Sequence, residues 1–82
     1  MTIEVIKKTL AEELHVQFIT KANTIDTFRW LVSIADNCPT VADLMSAIRN
    51  EILRTWGRPG MGMHVATLEA VADAIPYGRV WW

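Results

Sequence analysis

Thr24-Ile25-Asp26-Thr27-Phe28-Arg29-Trp30-Leu31-Val32-Ser33-Ile34-Ala35-Asp36, followed by Asn37-Cys38-Pro39-Thr40, is the stretch that decides the fold of this chain. Ile25, Phe28, Val32 and Ala35 recur at helical spacing, and Leu31 and Ile34 widen that line. The polar residues Asp26, Arg29, Ser33 and Asp36 are confined to one narrow stripe. A helix apolar over most of its circumference needs several neighbours, so this one is expected at the centre of a bundle. Thr24 or Asn23 is a ready N-cap, Asp26 suits the positive end of the helix dipole, and Asn37 and Cys38 end the helix ahead of Pro39.

Downstream, Thr40 caps a third helix with Asp43 three residues on. Val41, Leu44, Met45, Ile48, Ile52 and Trp56 form its apolar face, opposite Asp43, Ser46, Arg49 and Asn50, and Trp56 is expected to complete the core. The short connection makes this pair a central antiparallel helical hairpin. Gly57-Arg58-Pro59-Gly60-Met61-Gly62 then stops the helix, with Gly57 suited to a left-handed cap. A fourth helix from about Met63 to Ile75 carries Val65, Leu68, Val71, Ala72 and Ile75 and ends before Pro76.

Upstream, a first helix begins near Thr2, with Ile6, Leu10, Leu14 and Phe18 every fourth residue. Its end stays open. The segment 16–20 is rich in β-branched and aromatic residues, and either continues the helix or pairs with 78–82 as a two-stranded ribbon. The expectation is one all-α domain over 1–82, a small four-helix bundle with that short ribbon as an optional embellishment.

Composition bounds the function. Of 82 residues, 51% are hydrophobic and 21% charged, which describes a folding chain. Eight basic against nine acidic residues give a formal charge of −1, which argues against a dominant polyanion-binding role and favours self-association. A single cysteine, Cys38, forms no internal disulfide and fits a reducing compartment. The N-terminal residues lack the order of a signal peptide, and no apolar run approaches a membrane span. A cytoplasmic location is expected.

No motif specifies chemistry. His15, His64 and Cys38 lie at no recognised metal-ligand spacing, so exposed or capped histidines and a packed cysteine are expected, with no metal and no cofactor. Ser33 and Ser46 lie mid-helix, and Glu12 and Glu13 are adjacent and point apart. Cys38 sits near a helix N-terminus that would favour thiolate, but no spacing brings a histidine to it. The glycine-rich loop lacks the strand and the Lys-Ser or Lys-Thr end of a phosphate-binding loop. The chain is not expected to be an enzyme.

Two binding readings remain. Helices two and three resemble a helix-turn-helix in outline, and Arg49, Arg54 and Arg58 recur along the third, which offers nucleic acid as an alternative ligand of helix 40–56. Its leading residues, Val41 to Met45, are apolar and acidic, which is poor for approaching phosphates. The preferred reading is a cytoplasmic protein-interaction module, a regulator, inhibitor or assembly factor and a candidate homodimer. Its expected surface combines Trp81, Trp82, Arg79, Arg58, Met61, Met63 and Trp30, residue types favoured at interface hot spots. The terminal tryptophan pair is its expected anchor, docked either on a partner or on its own domain.

Overall fold

The computed structural model describes residues 2–77. It contains four α-helices, α1 Ile3–Thr20, α2 Ile25–Asp36, α3 Val41–Thr55 and α4 Gly62–Ala74, followed by a 3-10 turn over Ile75–Tyr77. The architecture is the expected all-α four-helix bundle. No helix among the described residues is long and apolar enough to cross a membrane.

Helix α2 packs against α1, α3 and α4, as its broad apolar face requires. Phe28, Leu31 and Ala35 from α2 meet Ile6 and Leu10 of α1, Leu44 and Ile48 of α3, and Leu68 and Val71 of α4 in one buried cluster. Cys38 closes that cluster at the turn after α2 and is itself buried. Each fully buried leucine or isoleucine contributes on the order of 1.5–3 kcal/mol through removal of its side chain from water.

Local chemistry fixes the ends. The Thr40 hydroxyl accepts from the Asp43 N–H at 3.1 Å, the expected N-cap of α3. Thr2 does the same for α1 through the Val5 N–H at 3.4 Å. Thr24 begins α2 but makes no such bond. Its hydroxyl instead donates to Gln17 Oε1 at 2.9 Å.

That contact belongs with the end of α1, where residues 16–20 are helical and form no strand. The other half of the expected ribbon, 78–82, lies outside the described residues. Helical geometry explains both the choice and a change of inward residue. At about 100° per residue, a spacing of four drifts by about 40° each time, so Phe18 stands about 120° round from Ile6. Phe18 is accordingly exposed, with the Arg29 guanidinium 4.8 Å from its ring centroid. Gln17, only about 20° from Ile6, faces inward and is buried. Its amide donates to Glu13 Oε1 at 3.0 Å, so both ends of the buried side chain are satisfied within and just beyond α1. Lys21, in the left-handed conformation at φ 54°, then ends the helix.

The same drift operates in α3 and overturns one expectation. Trp56 does not complete the core: it is 70% exposed. It follows Leu44 by twelve residues, again about 120° off the inward line, and Thr55 takes the inward position. The helix also ends there, since Trp56 leaves it in extended backbone at φ −55°, ψ 129°.

Candidate functional site

The turn from α3 to α4 borders an exposed groove. Gly57 and Gly60 adopt φ of 75° and 79°, the left-handed region that a β-carbon disfavours. Two backbone bonds close the turn, Arg58 N–H to Thr55 O at 3.1 Å and Met61 N–H to Arg58 O at 3.2 Å. Against α4 it forms an open groove of 460 Å³ lined by Trp56, Gly57, Arg58, Met61, Gly62, Val65, Ala66 and Glu69. Gly62, Val65, Ala66 and Glu69 recur at helical spacing, so the floor is one face of α4. Trp56 and Met61 supply apolar walls. Arg58 and Glu69 are the two charged lining residues, and neither makes an ion pair among the described residues.

A buried polar chain fixes this turn to the rest of the bundle. Glu51, on the inner line of α3, accepts two hydrogen bonds from Arg54, at 2.8 Å from Nε and 3.0 Å from Nη2. Its Oε2 also lies 3.0 Å from His64 Nε2 on α4, and His64 Nδ1 lies 2.8 Å from the Thr27 hydroxyl on α2. Arg54 chiefly, with help from His64, holds the Glu51 carboxyl below its ordinary range, against an opposing push from burial. An ionised carboxylate only accepts, so His64 Nε2 donates to it; in a neutral ring Nδ1 then accepts from Thr27. Trp30 packs edge-on to the same imidazole, with ring centroids 6.1 Å apart. Three helices, α2, α3 and α4, are thereby joined through one imidazole.

The order hydroxyl, imidazole, carboxylate is that of a catalytic triad. Thr27 is 4% exposed and lies in the first turn of α2, at the edge of a depression that it lines with His64. Its hydroxyl, 2.8 Å from His64 Nδ1, satisfies a buried polar atom and orients the histidine. Cys38 is equally sheltered: burial first, then the Asp43 charge, pushes its thiol up, opposite to the effect expected of the nearby helix N-terminus. Among the described residues no cluster of His, Cys, Asp or Glu has the makings of a metal site.

The expected site residues are thus distributed unevenly. Arg58 and Met61 line the groove. Met63 is exposed and lines a neighbouring 240 Å³ depression with Met61, Thr27 and His64. Trp30 is half-buried against the core. Arg49 is exposed on α3, whereas the Arg54 guanidinium is engaged by Glu51. Arg79, Trp81 and Trp82 lie outside the described residues. Sequence reasoning missed the role of Trp56 as a rim residue and the whole Thr27–His64–Glu51 chain. One signal was present: Glu51 sits three residues after Ile48 on the inward face of α3, where an acidic side chain needs partners.

Compared with known proteins, the chain matches no protein-family model, no curated protein and no solved structure.

Proposed function

We propose that this chain is a cytoplasmic protein-interaction module, a regulator, inhibitor or assembly factor, that docks the groove between the 57–61 turn and α4 onto an apolar side-chain cluster of a protein partner. The observation that carries the reading is Trp56, a tryptophan left 70% exposed on the rim of an apolar groove beside Arg58 and Met61. Tryptophan and arginine are enriched at interface hot spots, and methionine adapts to partner shape. The Glu51–His64 contact supports the same reading, because it ties together the two helices that flank the turn, and a pre-ordered surface loses less entropy on binding. Trp81, Trp82 and Arg79 lie outside the described residues, and deletion of Trp81 and Trp82 measures their contribution to binding. The reading involves binding, with no catalysis and no cofactor.

The test is capture from nuclease-treated lysate by the full chain, by Met61→Glu and by Ile19→Glu, an exposed apolar position on α1 outside the groove. A protein retained by the wild type and Ile19→Glu and lost by Met61→Glu supports the groove. Equal capture by all three refutes it. Capture of nucleic acid in untreated lysate, lost on nuclease treatment and on Arg49→Ala with Arg58→Ala, moves the function to α3.

A further inference from the structure

We infer that the partner seated in this groove is a second copy of the chain, docked by a two-fold axis that crosses α4 near Val65 and Ala66. The inference rests on the docking reading above and names its occupant. Three observations converge on it. First, the knob and the groove adjoin on one surface. Trp56 projects at the rim of a 460 Å³ groove, which is the arrangement a two-fold interface needs, because each copy must offer both halves of every contact.

Second, the charges are self-complementary. Arg58 stands in the turn before α4, and Glu69 stands two turns into the helix at the other end of the lining. Neither has an ion-pair partner among the described residues. A two-fold axis between them sets the α4 helices antiparallel and brings each Arg58 to the Glu69 of the other copy. Like charges meet in the parallel alternative, which the same pair therefore opposes.

Third, α4 is apolar beyond what the core uses. Of its thirteen residues only His64, Thr67, Glu69 and Asp73 are polar, yet Met63, Ala66 and Ala70 face solvent. Gly62 and Ala66 leave room for close approach of a second backbone, and a net charge of −1 offers little repulsion between copies.

Sedimentation equilibrium on the full chain, from low-micromolar to submillimolar concentration, reads the association directly. The inference predicts a monomer–dimer equilibrium. Trp56→Ala weakens it by roughly 10–100-fold, the range of a hot-spot truncation. Arg58→Glu or Glu69→Arg alone weakens it on the order of 10-fold, and the double variant Arg58→Glu with Glu69→Arg recovers it to within about 3-fold, as paired charges require. All three positions face solvent and line the groove, so circular dichroism should report unchanged helix content. A chain that stays monomeric throughout overturns the inference, and so does a dimer indifferent to Trp56→Ala or a double variant weaker than either single one. If the monomeric protein still captures a partner that Met61→Glu loses, the docking reading stands and only its occupant changes. If it captures none, both fall.

Discussion

Replacing His64 with alanine cuts the polar chain at its middle. Thr27, 4% exposed, then keeps a hydroxyl with no acceptor, which costs about 1–3 kcal/mol. Loss of the edge-on contact with Trp30 adds about 1 kcal/mol. Glu51 retains both bonds from Arg54, so its charge stays paired and adds little. The expected loss is about 2–4 kcal/mol, a large share of the roughly 4–12 kcal/mol available to a domain of this size. The melting temperature should fall on the order of 10–25 °C. Thr27→Val separates the network from simple packing. Alone it removes the hydroxyl from His64 Nδ1 and costs about 1 kcal/mol; in the His64→Ala background it removes an unpaired group and is neutral or stabilising. Urea unfolding followed by circular dichroism on the four proteins should therefore give a coupling of about 1–2 kcal/mol. Additivity within about 0.5 kcal/mol would show that the two residues do not act together and would refute the polar chain as a coupled unit.

The remaining predictions concern single positions. The Glu51 carboxyl is held below its ordinary value in the folded protein, so its contribution is complete above about pH 4.5 and is lost as pH falls through the folded value. Stability measured from neutral to acid pH should fall less steeply in Glu51→Gln than in the wild type. Thr40→Ala removes the α3 cap and should cost about 1 kcal/mol in urea unfolding. Leu31→Ala opens the centre of the bundle, where Leu31 is fully buried, and should cost about 2–5 kcal/mol, lowering the melting temperature by on the order of 10–30 °C. Gly57→Ala meets no neighbouring atom, yet its φ of 75° should make it about 1 kcal/mol destabilising by the same assay.

Much of the fold was legible because helix periodicity and end signals agree in this chain. The breadth of the apolar face on α2 announced a central helix, and Thr40, Gly57 and Pro59 marked ends that the structure keeps. What escaped was the slow rotation of a four-residue spacing. Ile6 to Phe18 and Leu44 to Trp56 look like unbroken stripes when read as a list, but each turns away from the core by its last member, and Gln17 and Thr55 face inward instead. The strand propensity of 16–20 was real but local. Continuing the helix keeps Gln17 inward, where Glu13 and Thr24 satisfy it, and no pairing segment among the described residues competes. The candidate site was half legible. Arg58 and Met61 drew attention by residue type, whereas the polar chain joins residues 37 and 13 positions apart, distances at which one-dimensional patterns carry no signal.

The central claim is that the groove beside Trp56 is where this protein is bound. Site-specific photocrosslinking tests it most directly, with a benzophenone side chain placed at Met61 or, outside the groove, at Ile19. The account predicts a discrete protein adduct from position 61 that Trp56→Ala abolishes, and none from position 19. Adducts of equal yield from both positions, or none from position 61, would contradict it.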